Sequence, residues 1–289
     1  MKKRIVRTII VVLWTFIATV ITLELILRTT DPLGMFHAYN DLVVLHKNLE
    51  SHPQRGYSLP PGEISFTDWL VTMTPDQTRQ VPATNPQASC TIAMVGDSLT
   101  FGQGVEDDEP FTNLLAMQYP DVHFINAGII GYNIHNVLST IQDIEADAYV
   151  YLLINNDAEP ELKIERHPRV RYAFSVYFFL AMQRLNGRTD NSAQDPPPDG
   201  ITTPFPDWAI ADAETIIGTD NVLIVGFEGG KLAQYIHTLD EELIFIPKTN
   251  HIVSQSDQHP NPEGHRELAT ALTPHVEALI AAHCNQDAG

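Results

Sequence analysis

Short uninterrupted apolar runs alternate along this chain with longer stretches in which apolar positions recur every three or four residues, a pattern that predicts strands each followed by a helix. The run at 91–95 has the length and residue types of a strand buried on both faces, and the runs at 122–125, 149–154, 221–227 and 243–247 read as further strands. Helical spacing appears at 106–118, 134–145, 207–217, 231–241 and 262–283. Strands that take turns with helices in this way predict an α/β domain built on five parallel strands. Residues 31–89 show no comparable rhythm and read as an irregular spacer with short strands, in which Pro82, Asn85 and Pro86 mark an extended approach to the first strand of the sheet. A long insertion, 158–206, interrupts the alternation, and connections of that length tend to be lids or binding loops. Its part 170–185 is apolar and aromatic, with Tyr172, Phe174, Tyr177, Phe178, Phe179 and Met182, whereas 191–206, with Pro196, Pro197 and Pro198, reads as a loop. The aromatic part is a cap over a pocket, an interfacial helix on a membrane, or an extra helix packed on the core. Arg166, Arg169 and Arg171 precede it and are weak candidates for lipid headgroup contacts.

The apolar pattern is densest at the amino terminus. Lys2, Lys3, Arg4 and Arg7 precede an uncharged segment over 8–23, which Leu25, Ile26 and Leu27 extend beyond Glu24. That length nearly crosses a bilayer, and the basic cluster predicts a cytoplasmic start with everything after Arg28 on the far side, the periplasm in a Gram-negative cell. A cleaved signal peptide is the rival, but no small-x-small cleavage site follows the apolar run. The expected division is therefore a cytoplasmic tip and anchor over 1–29, a juxtamembrane spacer over 30–89, and a catalytic domain over 90–285 that carries the insertion.

At 289 residues and 44% hydrophobic content, the chain is long and apolar enough for one large α/β core plus an appendage. A formal net charge of −19 argues against nucleic acid and anionic lipid as partners, since both would repel it. A solvated acidic surface accounts for the charge, as does a neutral or cationic substrate. The two cysteines are Cys90, at the start of the first sheet strand, and Cys284, at the end of the last helix. In a doubly wound sheet the last helix runs back from the catalytic edge to the edge where that strand begins. The two thiols are then either a disulfide, as an extracytoplasmic address would favour, or a pair of buried free cysteines.

Ser98 lies where the first apolar strand meets the glycine-rich stretch Gly96, Gly102 and Gly104, the carboxyl edge at which open α/β sheets place ligands. Downstream, Gly128 and Gly131 follow the second strand, Asn156 and Asp157 follow the third, and Asp257, His259, Asn261 and Pro262 lead into the last helix. Each has a structural alternative. The glycines supply turns, Asn156 and Asp157 cap a helix, Asn261 and Pro262 start one, and Asp97 braces its own turn. As chemistry, they supply what acyl transfer requires: a nucleophile, a base, a group that orients the base, and donors for the oxyanion. His251, His259, His265 and His275 lack the spacing of a helical zinc motif, and the glycines lack the dinucleotide pattern, so no cofactor or metal is expected.

Gly96-Asp97-Ser98-Leu99 resembles the first block of the GDSL or SGNH hydrolases, a family of serine esterases and acyl-transfer enzymes. Asn126-Ala127-Gly128-Ile129-Ile130-Gly131 is similar to the second block, Ile154-Asn155-Asn156-Asp157 to the third, and Asp257-Gln258-His259-Pro260-Asn261 followed by Gly264-His265 to the last. The resemblance spans about 90–283, and residues 56–62 are similar to the segment that precedes the first block in membrane-anchored members. It implies a three-layer α/β/α sandwich of flavodoxin-like type with strand order 2-1-3-4-5. It also implies Ser98 as nucleophile, His259 as base and Asp257 as acid, with the N–H groups of Ser98 and Gly131 and the amide of Asn156 forming the oxyanion hole. Two positions depart from the pattern. Ile154 stands where the third block opens with glycine, and the acid lies two residues before the histidine instead of three, where the chain has Ser256. The shorter spacing also occurs in branches that acetylate polysaccharide.

The expected function is hydrolysis of an oxygen ester outside the cytoplasm, on an acyl ester substrate such as an acylated glycan or lipid. Transfer of the acyl group to a sugar hydroxyl is the alternative enzyme, and a non-catalytic scaffold is the alternative from another class.

Overall fold

A computed structural model describes residues 2–162, 172–185 and 205–284. The segment holding Arg166, Arg169 and Arg171, and most of the proline-rich loop, lie outside these residues.

The chain starts with α1 (Lys2–Thr30), from which apolar side chains such as Ile9, Val11, Trp14 and Phe16 project exposed. Over Lys3–Thr30 it is long and apolar enough to cross a membrane. A tight turn at Asp31 and Gly34, both at positive φ, leads into α2 (Met35–Asn48). Two antiparallel hairpins follow, β1 (Glu50–His52) with β2 (Gly56–Ser58) and β3 (Gly62–Ser65) with β4 (Leu70–Met73). The region 31–89 is thus more ordered than its sequence rhythm indicates. Leu45, Leu49, Tyr57, Leu59, Ile64, Phe66, Trp69 and Val71 form one apolar cluster with Phe101, Ile129, Ile130 and Tyr132 of the α/β domain. The reason α2 escapes a sequence reading is local. Its N-cap is Gly34 without a side-chain cap, and the carboxylate of Asp31, further back, accepts from the Phe36 and His37 N–H groups instead.

Next come β5 (Cys90–Gly96), α3 (Ser98–Phe101), α4 (Phe111–Gln118), β6 (Val122–Asn126), α5 (Ile134–Asp143), β7 (Ala148–Leu153) and a 3₁₀ turn (Asn155–Ala158). After the insertion, whose described part holds α6 (Ala173–Leu185), the chain continues through α7 (Asp207–Ile217), β8 (Val222–Phe227), α8 (Lys231–His237), β9 (Ile244–Ile246) and α9 (Pro262–His283). The five strands pair in parallel in the order β6-β5-β7-β8-β9, which is the order 2-1-3-4-5. The helix expected over 106–118 begins at Phe111, because Pro110 sets its start and the carboxylates of Glu106 and Asp107 are turned back onto the Leu70 and Thr72 N–H groups.

Helices cover both faces of the sheet, giving three layers. On one face Phe111 and Leu115 of α4 meet Leu268, Leu272 and Val276 of α9 over Ile92, Met94, Val150 and Leu152. On the other, Ile134, Val137 and Leu138 of α5 and Ala209, Ala213 and Ile216 of α7 pack with α8 over Ala93, Val95, Tyr151 and Leu153. A strand whose successive side chains enter different cores must be apolar throughout, and β7 is buried at all its positions. α6 joins neither face. It packs on α1 and α2. Cys90 and Cys284 are bonded, with Cα atoms 5.3 Å apart, closing α9 onto the start of β5.

Candidate active site

β5 ends at Gly96, whose φ of 151° lies outside the range side chains favour and where a Cβ would come 2.3 Å from Thr100 Oγ1. Asp97 then caps α3, its Oδ1 accepting from the Leu99 N–H at 2.9 Å. The sharp strand-to-helix turn raises Ser98 at the carboxyl edge of the sheet, between neighbouring strand ends.

The turn is held from below by a residue no motif marks. Arg79 is buried; its guanidinium donates to the carbonyls of Phe101 at 2.7 Å, Gly102 at 2.5 Å and Val105 at 2.6 Å, and to Asp107 at 3.2 Å. Burial pushes its pKa down to about 10, against the opposing pull of Asp107, so it stays charged at neutral pH. A lone arginine in an irregular stretch gives no sequence signal, since its partners are backbone carbonyls of the loop after Ser98.

His259 comes from the loop before α9, whose start is fixed by Asn261 accepting from the Glu263 and Gly264 N–H groups and by Pro262 at the first helical position. Its Nε2 lies 2.7 Å from Ser98 Oγ, and its Nδ1 is hydrogen-bonded to Asp257 Oδ1. The same carboxylate oxygen accepts from the His259 backbone N–H at 3.1 Å, so the two-residue spacing forms a compact turn in which acid and base face each other. Gln103 Nε2 reaches the other oxygen of Asp257 at 3.4 Å. Ser256 is exposed, and its backbone N–H is spent on Leu33 O. Burial works to lower the pKa of His259, but the hydrogen bond and charge of Asp257 outweigh it and leave it raised. For Asp257, burial works upward, and the contacts with His259 overcome it and leave the acid lowered. The pair is thus biased toward imidazolium and carboxylate.

Ser98 Oγ also lies 3.0 Å from Asp97 Oδ2, so its single proton has two acceptors within reach. Asp97 is fully buried and its pKa is raised, chiefly by that burial.

Asn156 projects from the 3₁₀ turn after β7, which is pinned on both sides. Asn155 Oδ1 accepts from the Leu232 N–H at 3.1 Å, and Asp157 Oδ2 accepts from the Ile154 N–H at 3.0 Å and the Tyr151 hydroxyl at 2.7 Å. Ile154 has an extended backbone, φ −127° and ψ 168°, which any residue adopts, so glycine is not needed there. Asp157 is pushed well above the usual carboxylate range, first by burial and then by the charge of Asp97.

Ser98, Asn156 and His259 line one cavity of about 370 Å³, together with Phe227, Lys248 and Thr249. Asp257 lies just behind His259. Gly131 stands on the adjoining loop outside this lining, at φ 81°, where a Cβ would meet Leu162 Cδ2 at 2.9 Å and Tyr57 Oη at 3.1 Å. That loop runs against the end of β5, with the Ile129 N–H donating to Gly96 O at 3.2 Å. No described residue of α6 lines the cavity. His265, in α9, is buried against α4, accepting from the Phe111 N–H at 3.3 Å, and burial pushes its pKa down to about 3. Among the described residues, no three His, Cys, Asp or Glu side chains converge as metal ligands would.

Neither a protein-family profile nor a curated protein sequence matches the chain. Solved structures do. It is similar to TesA, at 14% identity over 65% of this chain and 99% of that one, with a TM-score of 0.40. It is similar to the psychrotrophic esterase EstA from Pseudoalteromonas sp., at 14% identity over 65% and 100% of the two chains and a TM-score of 0.39. A catalytic mutant of Axe2, an acetylxylan esterase from Geobacillus stearothermophilus, matches at 12% identity over 65% and 94%, with a TM-score of 0.39.

Proposed function

We propose that this chain is a membrane-anchored serine esterase of the SGNH kind that cleaves an oxygen ester outside the cytoplasm. One observation carries the reading: the hydroxyl of Ser98, the imidazole of His259 and the carboxylate of Asp257 form a continuous hydrogen-bonded chain opening into a cavity. A hydroxyl, a ring and a carboxylate in that order can deprotonate an alcohol, and nothing in the packing of the sheet calls for the three to meet.

In the first half-reaction Ser98 Oγ bonds to the ester carbonyl carbon while its proton passes to His259 Nε2. Asp257 fixes the tautomer that leaves Nε2 free and stabilises the imidazolium that forms. The carbonyl oxygen becomes negative and is met by the N–H groups of Ser98 and Gly131 and by the amide of Asn156, which the pinned turn holds ready. The tetrahedral carbon then expels the alcohol, which takes the proton from His259 and leaves an acyl group on Ser98. Water repeats the sequence: His259 removes its proton, the hydroxyl attacks the acyl carbon, and the acid departs as Ser98 recovers its hydrogen. The cavity volume suits a small acyl or sugar group more than a long chain laid out full length.

The anchor reading draws support from contacts that a cleaved leader would forfeit. Glu24, inside α1, accepts from the Ala173 and Phe174 N–H groups at the start of α6. Removing the first 30 residues would strip α6 of its cap.

A fluorophosphonate probe tests the function. The expected outcome is one covalent adduct on Ser98 of the full chain, located by peptide mass spectrometry, and none on Ser98→Ala. Absence of labelling on the intact chain overturns the hydrolase reading in favour of a scaffold.

A further inference from the structure

The catalytic loop is fastened to the place where α1 leaves the membrane. Leu33 is three residues beyond the end of α1, at most about 10 Å of chain, and its carbonyl accepts from the Ser256 N–H at 3.0 Å. Asp257, the next residue, holds His259. Gly34 packs against Ser254, so closely that a Cβ there would come 2.1 Å from Ser254 Oγ, and that hydroxyl in turn accepts from the Asp257 N–H at 3.0 Å. The joint is stiff, because the carboxylate of Asp31 gathers the Phe36 and His37 N–H groups and the Tyr177 hydroxyl onto the exit turn.

The height of this joint follows from helix geometry. A hydrocarbon core of about 30 Å takes up roughly 20 helical residues; counted from Thr8, the first residue after the basic cluster of Lys2, Lys3, Arg4 and Arg7, it ends near Leu27, about one helical turn beyond Glu24. A bare carboxylate just inside that boundary would be costly. This one is satisfied by Arg28 at 2.9 Å and by the first N–H groups of α6, at 3.1 Å from Ala173 and 2.9 Å from Phe174. The start of α6 therefore sits at the depth of Glu24, just below the base of the headgroup layer. Past Leu27 the helix rises about 4.5 Å into that layer before it ends at Thr30. Tyr172, just before α6, and Phe178 and Met182 on it are exposed, at 60%, 56% and 40% of their surface. In water that face is a liability; beside a membrane span it is an interfacial surface with an aromatic residue at the boundary.

We infer that the ester carried to this site is embedded, through its alcohol part, in the outer leaflet of the same bilayer that holds α1, and that the exposed face of α6 lies in that leaflet and sets the cavity over it. The inference rests on the esterase and anchor readings above and adds the substrate class: a lipid-borne ester, not one free in solution. The site gains from this placement because substrate confined to the same membrane surface is presented at a high effective concentration without any added contact.

The test uses the full chain in vesicles of ether-linked phosphatidylcholine, which contain no carboxylic ester and no net charge to oppose the chain's −19. Hexadecyl acetate in the bilayer is the lipid-borne probe and 4-nitrophenyl acetate the soluble one. Hexadecyl acetate in the enzyme's own vesicles should be cleaved at least ~10-fold faster than the same amount in separate vesicles, and equal rates overturn the inference. Phe178→Ser with Met182→Ser should lower turnover of hexadecyl acetate about 10-fold and leave 4-nitrophenyl acetate unchanged. Equal effects on both esters, or none on either, also overturn it. If the unaltered chain cleaves neither ester, the hydrolase reading falls first and takes this inference with it.

Discussion

Asp257 reaches His259 from only two residues upstream, and one carboxylate oxygen serves both the backbone N–H and the ring of the base. The consequence is a base whose pKa lies above 6.5, despite burial that works to lower it. Catalysis needs the neutral ring, so kcat/KM should fall as pH drops through a value above 6.5. In Asp257→Asn the hydrogen bond and charge that raise the pKa are gone while burial stays; the acid limb should move to lower pH and kcat should fall by about 10⁴-fold. Rate profiles of the two proteins on a soluble ester check this, and an unmoved limb would remove Asp257 from its role. The sign for stability is the reverse: the raised pKa contributes stability that is present below 6.5 and is lost as pH rises through the folded value. At the same scale, Ile154 shows why a motif letter is not a requirement. An extended backbone accepts any side chain, and what the turn needs is the N–H that Ile154 gives to Asp157.

The nucleophile turn depends on an element outside its own domain in sequence. α3 and the loop after it expose carbonyls that its four residues cannot satisfy internally, and Arg79 answers three of them with one planar group. Arg79→Met should destabilise the fold by about 3 kcal/mol, because it leaves buried carbonyls without the guanidinium and Asp107 without its ion-pair partner. It should also lower kcat more than it raises KM, since Ser98 loses its floor. Arg79→Lys should rescue little, because a single ammonium cannot meet three carbonyls spread over the loop. Denaturant midpoints and steady-state kinetics on the three proteins decide this; full activity in the Met variant would refute the positioning role. The spacer that supplies Arg79 is therefore part of the site. Its helix α2 and hairpins are held by contacts with Phe101, Ile129 and Tyr132, contacts remote in sequence, which is why its local pattern looks irregular.

Across the whole molecule Ser98 and His259 sit at one edge of the sheet and the Cys90–Cys284 bridge at the other, with the length of β5, roughly 20 Å, between them. The bridge spans 194 residues of sequence, and in the chain-entropy model closing so long a loop stabilises by up to about 5 kcal/mol. Cys90→Ala with Cys284→Ala should lower the unfolding midpoint by an amount within that bound and leave kcat on a soluble ester unchanged. A matched loss of activity while the protein is still folded would show that α9 transmits strain to His259. The acidic net charge of −19 belongs to this scale too: it opposes anionic surfaces and leaves a zwitterionic or neutral leaflet as the compatible neighbour.

Alternation of buried strands with amphipathic helices, the four motif blocks and the basic, apolar amino terminus are all local in sequence. They were sufficient for the five strands, for a helix long enough for a membrane, and for setting Ser98 and Asn156 just past strand ends and Asp257 and His259 just before the last helix, because each depends on near neighbours along the chain. The tertiary structure alone decided that Ser98 and His259 meet at 2.7 Å, that Arg79 supports the turn, that α2 is a helix, and that α6 packs on α1 and not over the cavity. These rest on pairings between distant segments, in which a buried charge or an orphaned backbone group is satisfied by whatever the fold brings beside it, and such partners leave no periodic trace in the sequence.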